Sequence, residues 1–307
     1  MIVTLAGGVG AARFLKGLSL IKEPSELKAI INTADDVVLH GLHISPDIDT
    51  VTYSLAGVDN PETGWGIIEE SWNVMKSLDF LGGATWFQLG DKDLGTHLFR
   101  TNRLSEGGSL TEVTAEIACK FGIEVKLLPM SDSKISTFVT LAESGEEISF
   151  QEYFVKLKHA VAVESVRFEG SQQAKPGPDV IESIHKAEKI VIAPSNPIVS
   201  IGPILSISEI NSAIKSRRES TVAISPIING LALKGPADRM MSELGHEPSV
   251  LGIAHLYKDL VATLVIDKAD ETYKESIESL GMRCLVTNTV MSSPSVSASL
   301  ASTVLDV

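Results

Sequence analysis

Four aspartates stand close together in the stretch NTADDVVLHGLHISPDIDT, which spans residues 32–50. Asp35 and Asp36 directly follow a short apolar run, and Asp47 and Asp49 complete the group. Because grouped carboxylates repel one another, they require a compensating cation. Carboxylate oxygens suit a hard ion such as Mg²⁺, which proteins commonly share with substrate phosphates. The alternative is that these aspartates cap helices and stabilise turns.

A glycine-rich loop lies near the start of the chain, in LAGGVGAARFLKGL at residues 5–18. Gly7, Gly8 and Gly10 stand where an apolar run gives way to a helical pattern, and backbone N–H groups at such a position can bind phosphate. The dinucleotide fingerprint would need a third glycine where Arg13 stands, and the Walker pattern does not occur here. The loop therefore disfavours a nicotinamide dehydrogenase and a Walker-type ATPase. A plain strand-to-helix turn is its alternative interpretation.

A charged stretch, GDKDLGTHLFRTNR, spans residues 90–103. Arg100 or Arg103 could clamp a phosphate or carboxylate, and a solvated helix face is the alternative. The three tryptophans of the chain precede this stretch, at Trp65, Trp72 and Trp86. They could supply a flat wall for an aromatic ligand or pack within a core.

A third polar stretch, APSNPIVSIGPIL, spans residues 193–205 and follows another apolar run. Ser195, Asn196, Ser200 and Gly202 offer hydroxyl, amide and backbone donors, and three prolines stiffen the loop. A rigid frame of donors suits a diphosphate or a nucleotide.

Seven short apolar runs rich in Ile, Val and Leu must position these residues. They are IVTL (2–5), LKAIIN (27–32), IEVKLL (123–128), KIVIAP (189–194), TVAISP (221–226), LVATLVI (260–266) and RCLVT (283–287). Such runs are typical of strands buried on both faces of a parallel sheet. Helical patterns between them include 111–122, 179–189 and 269–281. This alternation predicts an α/β fold with a doubly wound, mostly parallel sheet, whose carboxyl edge gathers the polar loops into a ligand crevice.

Two regions interrupt the alternation. Residues 58–110 predict a mostly helical excursion that contains a helical pattern at 67–79, and residues 134–170 predict a small α+β insertion with a hairpin. The core then comprises residues 1–133 and 171–307. The serine-rich tail at 292–302 is compatible with a last helix or with a frayed end.

The composition restricts the function classes. Of 307 residues, 39 are acidic and 26 are basic, which leaves a net charge of −13. A chain this acidic is poorly suited to bind nucleic acid. Two cysteines are too few for a disulfide framework or a four-cysteine metal site. Neither a signal peptide nor an apolar stretch approaching the ~20 residues of a membrane helix occurs, so we expect no membrane partner and a cytoplasmic location.

Six motifs in this order resemble the 2-phospho-L-lactate transferase family of coenzyme F-420 biosynthesis. The motifs are LAGGVGAARFLKGL, NTADD, HGLHISPDIDTVTYSLAG, LGDKDLGTHLFRT, APSNPIVSIGPIL and SPIINGLALKGPADRMM. The match runs from the first predicted strand to at least Met241, and TNTVM at 287–291 fits the tail. The resemblance implies a Rossmann-like core with a smaller added region, a Mg²⁺ requirement and a homodimer.

The resemblance also implies a reaction. The family takes lactyl-2-diphospho-5′-guanosine and the deazaflavin alcohol 7,8-didemethyl-8-hydroxy-5-deazariboflavin (Fo). A ribityl hydroxyl of Fo attacks the phosphorus attached to lactate, GMP leaves and the phospholactyl-deazaflavin forms. Whether lactate or a related three-carbon acid is preferred, which group is the general base and how many metal ions take part stay open.

The resemblance also assigns roles to specific residues of this chain. It implies that Asp35, Asp36 and Asp49 bind Mg²⁺ and take part in catalysis. Fo binding falls on Asp49, Gln88, Asp91 and Arg100. Binding of the guanosine diphosphate part falls on Gly7, Gly8, Gly10, Asn32, Ser195, Asn196 and Gly202. The core is also similar to nucleotide-sugar-binding regulatory proteins, which bind without turnover, so a non-catalytic binder is the alternative function.

Overall fold

The computed structural model describes residues 1–61 and 64–307. Its strands are β1 (Ile2–Ala6), β2 (Leu27–Ile31), β3 (Val37–Leu39), β4 (Leu42–Ile44), β5 (Lys126–Pro129), β6 (Ser136–Leu141), β7 (Glu147–Ser149), β8 (Val163–Glu169), β9 (Lys189–Ile192), β10 (Thr221–Ile224), β11 (Ile227–Ile228), β12 (Leu231–Ala232), β13 (Thr263–Asp267) and β14 (Arg283–Thr287).

The α-helices are α1 (Gly8–Leu18), α2 (Pro46–Ala56), α3 (Asn73–Phe80), α4 (Asp91–Ser105), α5 (Leu110–Lys120), α6 (Val180–Lys186), α7 (Gly202–Ser206), α8 (Ser208–Ser216), α9 (Ala237–Glu243), α10 (Val250–Tyr257), α11 (Lys274–Ser279) and α12 (Pro294–Leu305). Short 3-10 or π-helical segments span Pro24–Glu26, Glu152–Lys156, Pro197–Ile201, Arg218–Ser220 and Lys268–Tyr273.

All seven apolar runs form strands of one sheet, in the order β5-β2-β1-β9-β10-β13-β14. Every neighbouring pair in this sheet is parallel. From β1, the chain adds β2 and then β5 on one side, and it returns to the other side of β1 with β9. The order reverses between β1 and β9, and this is where doubly wound sheets bind ligands, beyond the carboxyl ends of the strands. The predicted fold class is confirmed.

Helices cover both faces of the sheet. Val3 and Leu5 belong to an apolar cluster that packs against α6, α8 and α10. Ile2 and Ala6 point the other way, into a second cluster with α1, α2 and α12. Because successive side chains of a strand face opposite sides, β1 is buried along its whole length.

The α+β insertion is present between residues 134 and 170. Strand β6 pairs antiparallel with β7 and β8. Its small core includes Val139, Phe150 and Tyr153, which pack with Val199 and Met240 from outside the insertion. Since the insertion shares this core with the rest of the chain, it is packed onto the main body. The predicted division into separate domains stays a prediction.

Residues 58–110 hold helices α3 and α4, joined by loops. The predicted excursion includes residues 62–63, which lie outside the described residues. The helical pattern at 67–79 starts as a helix only at Asn73. Ile67 instead forms a β-bridge with Asp59, and the Glu70 carboxylate accepts the backbone N–H groups of Lys92 and Asp93 at 2.8 Å. These long-range bonds prevent the helix from starting earlier.

The serine-rich tail forms helix α12. The Ser293 hydroxyl accepts the N–H of Val296 at 3.3 Å and caps the helix. Pro294 occupies the first turn, where its missing N–H costs nothing. The predicted helices at 111–122, 179–189 and 269–281 correspond to α5, to α6 and to a 3-10 segment followed by α11.

The described part of the chain contains no single helix that is long and apolar enough to cross a membrane. The segments Pro197–Ser206 and Ser208–Ser216 meet the length and composition test only together, across a bend of 95°.

We expect Gly17→Ala to destabilise the protein by about 1–3 kcal/mol, since overpacked atoms have no room to move. A Cβ at Gly17 in α1 would lie 2.4 Å from the carbonyl carbon of Ser297 in α12. Gly95→Ala in α4 is the matched control, because Gly95 is exposed and a Cβ there meets nothing within 4 Å. Its stability should be unchanged or rise by up to about 1 kcal/mol. Urea unfolding measures both changes, and equal stabilities would contradict the close α1–α12 contact.

Candidate functional site

A cavity of about 750 Å³ opens at the switch point of the sheet. The glycine loop after β1 and the polar loop after β9 form one side of it, and the start of α2 forms another. Residues from 65–88 and from the insertion close it. The predicted site residues that line this cavity are Gly7, Gly8, Gly10, Asp35, Asp49, Gln88, Ser195 and Asn196.

Two buried carboxylates meet at one amide on the floor of the cavity. The Asn32 side-chain nitrogen donates to Asp35 Oδ2 and to Asp47 Oδ2, each at 3.0 Å. Asp47 Oδ1 accepts the backbone N–H of Gly8 at 2.8 Å, so it also anchors the glycine loop. Sequence reasoning placed Asp47 in the acidic group but did not assign it a role.

Burial gives these two carboxylates unusual protonation behaviour. Burial first, and then the Asp47 charge, raise the pKa of Asp35 well above its ordinary value. Burial raises the pKa of Asp47 to about 6. Asp35 Oδ1 is buried and has no hydrogen-bond partner among the described residues. Two close carboxylates with a free oxygen and raised pKa values fit a divalent cation, which would neutralise their repulsion.

Asp36 points away from its neighbour and is not among the described residues that line the cavity. Asp36 Oδ2 accepts the Ser45 hydroxyl at 2.7 Å and lies 3.0 Å from His43 Nε2. Burial raises its pKa, against the opposing effect of His43. These contacts tie the loop after β2 to the β3–β4 ribbon, which is a structural role.

Asp49 lies in the fork of a buried arginine. Arg100 Nη1 donates to Asp49 Oδ2 at 3.1 Å, and Arg100 Nη2 donates to Oδ1. The Arg100 side chain is 0% exposed and the Asp49 side chain 7% exposed. Although burial opposes it, the Asp49 carboxylate raises the pKa of Arg100. Since both Asp49 oxygens face a fixed cation, Asp49 is a poorer metal ligand than Asp35 or Asp47.

A polar network extends from Arg100 along one face of α4. Arg100 Nη1 lies 3.2 Å from His97 Nδ1, so that nitrogen must accept and the ring proton belongs on Nε2. His97 Nε2 lies 3.3 Å from Asp93 Oδ1, which also accepts the Tyr53 hydroxyl at 2.6 Å. Ligand atoms of Asp49, Asp93 and His97 lie within 4.8 Å of one another. The Arg100 guanidinium is in contact with this group and disfavours a metal ion there.

Sequence reasoning missed Tyr53, Asp93 and His97, which all line the cavity. The signal was the spacing of Asp93, His97 and Arg100, which repeats every three or four residues and places them on one helix face.

The loop after β9 supports the glycine loop directly. The Ser195 hydroxyl donates to the carbonyl oxygen of Gly7 at 2.8 Å. The Asn196 side-chain oxygen accepts the N–H of Ile198 at 2.9 Å and so caps the following helical turn. Gly202 lies outside the lining, where a Cβ would come within 3.2 Å of the Phe168 ring.

Of the two remaining positions that were predicted to bind Fo, Gln88 lies in the cavity and Asp91 does not. Gln88 lines the cavity, and its side-chain nitrogen donates to the carbonyl oxygen of Thr85 at 2.6 Å. Asp91 is outside the lining and accepts the Ser71 hydroxyl at 2.6 Å and the N–H of Val74 at 3.1 Å. These bonds lower the pKa of Asp91 to about 2 and fix the start of α3. The structure thus gives Asp91 a structural role.

Several side chains that line the cavity carry aromatic rings, and we refer to them together as the aromatic wall. Its rings come from the 58–110 region and from the insertion, and they belong to Trp65, Trp86, Phe87, Phe150 and Phe154. Phe150 and Phe154 stack with ring centroids 5.3 Å apart. A cavity lined by both aromatic rings and buried carboxylates suits a ligand that has a planar ring and polar groups.

Comparison with solved structures identifies the same fold in another protein. A member of the UPF0052 family from Bacillus halodurans aligns with a TM-score of 0.63 over 99% of this chain and 98% of that one. The two sequences are 19% identical, so this similarity concerns the fold alone.

Curated relatives cover nearly the whole chain. A phosphoenolpyruvate transferase of Streptomyces griseus is 40% identical over 99% of this chain and 97% of its own. The 2-phospho-L-lactate transferases of Methanocaldococcus jannaschii and Methanosarcina mazei are 37% and 35% identical. They cover 95% and 99% of this chain and 93% and 99% of their own. A model of the family described as 2-phospho-L-lactate transferase CofD matches residues 2–290. The chain therefore belongs to the 2-phospho-L-lactate transferase CofD family of transferases.

Proposed function

We propose that this protein transfers the 2-phospholactyl group from lactyl-2-diphospho-5′-guanosine to Fo and releases GMP, as a step of coenzyme F-420 biosynthesis. The observation that carries the proposal is the single cavity at the switch point, which combines a glycine loop and buried carboxylates with an aromatic wall. The first two features suit a phosphorylated donor, and the third suits a deazaflavin acceptor. A homodimer and a cytoplasmic location remain predictions.

The relatives carry two names, which differ in the three-carbon acid that is transferred. Those from Streptomyces are named for phosphoenolpyruvate and the two from archaea for 2-phospho-L-lactate. An enolpyruvyl donor of the same guanosine diphosphate type is therefore the second candidate. The two acids differ by two hydrogens, so competition between both donors for one limiting pool of Fo would rank them.

For Mg²⁺, the geometry favours a different ligand set from the one that the resemblance implied. Asp35 and Asp47 line the cavity and share a neutral partner, the Asn32 amide. Asp49 also lines the cavity but is paired with the Arg100 cation, and Asp36 lies outside the lining. We therefore propose that Asp35 and Asp47 hold the ion. When bound, Mg²⁺ would neutralise phosphate charge during the transfer.

The remaining residues would position the two substrates. The glycine loop, held by Asp47 and Ser195, presents backbone N–H groups to the donor phosphates. Arg100 fixes Asp49 in one orientation, so we propose that Asp49 orients the attacking hydroxyl of Fo. Phosphoryl-type transfer depends mainly on such positioning and on charge stabilisation.

Product analysis tests the function. The protein is incubated with Fo, Mg²⁺ and either donor, and GMP and the phosphorylated deazaflavin are quantified by chromatography. Stoichiometric formation of both products supports the transferase. Binding of a nucleotide sugar without any GMP release would favour the regulatory alternative.

Mg²⁺ should raise the melting temperature more at about pH 7.5 than at about pH 5. The pKa values of Asp35 and Asp47 are raised in the folded protein. The stability that their protonation provides is therefore present at low pH and is lost as the pH rises through about 6, the pKa of Asp47. Mg²⁺ binds the ionised pair and compensates for that loss.

Thermal unfolding with and without Mg²⁺ measures this effect. Asp47→Asn should abolish most of the Mg²⁺-dependent rise, whereas Asp306→Asn, an exposed control near the end of α12, should retain it. The same rise in the Asp47 variant would show that the ion binds elsewhere.

We expect Asp49→Asn to lower kcat at least about 100-fold at saturating Mg²⁺, because the acceptor hydroxyl loses its partner. The variant should also lose about 3–5 kcal/mol of stability, since Arg100 is left buried and unpaired. The double variant Asp49→Asn with Arg100→Met removes both charges and should recover much of that stability. If the double variant regains both stability and turnover, Asp49 has a structural role only. Full turnover in the single variant Asp49→Asn would exclude a central role of Asp49 in catalysis.

A further inference from the structure

Three cationic side chains, Arg13, Lys158 and Lys234, line the cavity without a hydrogen bond or ion pair to the described residues. Two of them, Arg13 and Lys234, lie near each other. The chain has eight arginines, and seven of them donate to side chains or carbonyl oxygens. Arg13 makes no such contact within residues 1–61 and 64–307, and the same holds for Lys234. Both side chains line the 750 Å³ cavity, and Arg13 also lines a smaller adjoining pocket of about 370 Å³.

The two cations converge on the first turns of α1. A Cβ built on Gly64 would lie 2.7 Å from Lys234 Nζ and 3.6 Å from Val9 Cγ1, so the ammonium group lies beside Val9. Arg13 follows Val9 by one helical turn on the same face. Burial first, and then the nearby Arg13 charge, lower the pKa of Lys234. The arginine and the lysine are thus close enough to repel each other.

Among the residues that the structure describes, no carboxylate pairs with Arg13 or Lys234, although the net charge of the chain is −13. The carboxylates that line the same cavity contact other groups: Asp35 and Asp47 accept from Asn32, Asp49 accepts from Arg100, and Asp93 accepts from Tyr53. A pair of like charges on a cavity wall, left unpaired in an acidic protein, is suited to an anion supplied by the ligand.

We propose that Arg13 and Lys234 form a phosphate clamp that binds the diphosphate of a nucleoside diphosphate ligand. A diphosphate carries charge on adjacent phosphates and can therefore contact both cations at once, and arginine is well suited to bind phosphate. The glycine loop at the start of α1 lies within about two helical turns of Arg13. The identification of the ligand as a guanosine diphosphate ester rests on the proposed function; the clamp itself rests on the unpaired cations.

Calorimetric titration with GDP in the presence of Mg²⁺ tests the clamp, with guanosine as the ligand that lacks phosphates. Arg13→Met and Lys234→Met should each weaken GDP binding at least about tenfold, because each removes a charge-assisted contact. Guanosine and Fo affinities should stay within about twofold, since neither carries a phosphate. Lys22→Met, an exposed lysine beyond the end of α1, should leave GDP affinity unchanged.

Undiminished GDP affinity in both variants would overturn the clamp, and so would an equal loss of guanosine affinity, which would indicate altered folding. The outcome is independent of catalysis. If the wild-type protein turns over substrates and the variants bind GDP normally, the clamp fails while the proposed function stands. If the clamp variants lose GDP affinity but the wild type releases no GMP, the proposed function fails while the clamp stands.

Discussion

The repulsion between two buried carboxylates is the constraint on which the site depends. Asp35 and Asp47 are both buried, and the Asn32 amide donates to both of them. The backbone N–H of Asn32 donates to the carbonyl oxygen of Ala6 at 3.0 Å, so the ends of β1 and β2 hold this amide in place. Asp47 in turn fixes Gly8. One polar cluster therefore connects two strand ends, the glycine loop and the first turn of α2. The negative charge of its two carboxylates can be neutralised by a cation.

The core of the fold was predictable because its signal is local. Six of the seven strands are buried at all or most of their positions, and such strands appear in the sequence as largely apolar runs. The edge strand β14 is fully buried only at Cys284. The helical pattern at 67–79 failed for a non-local reason. Glu70 bonds to backbone N–H groups at the start of α4, 22 and 23 residues away, and Ile67 pairs with Asp59. Local periodicity contains no information about such partners.

The difference between local signals and non-local contacts also explains which site residues could be predicted. Gly8, Asp35 and Ser195 directly follow central strands, and the carboxyl edge of a parallel sheet brings such residues together without further information. The pairing of Asp49 with Arg100 spans 51 positions, and the contact of Tyr53 with Asp93 spans 40. Side chains that depend on how α2 and α4 pack could be named from the sequence, but their roles could not be assigned. The aromatic wall was anticipated only as three tryptophans, of which two line the cavity.

The glycine loop and the aromatic rings of the site come from different parts of the chain. The carboxyl edge of the sheet and the helices that follow it supply the glycine loop, Asp35 and Arg13, whereas the 58–110 region and the insertion supply most of the aromatic rings. A protein with the same fold can therefore change the planar ligand that it accepts through these added regions and leave the charged groups at the switch point in place. This explains how a fold shared at 19% identity with the Bacillus halodurans protein need not share its ligand. Under the proposed function, the choice of a planar acceptor depends on these added regions, and charge compensation depends on residues at the carboxyl edge of the sheet.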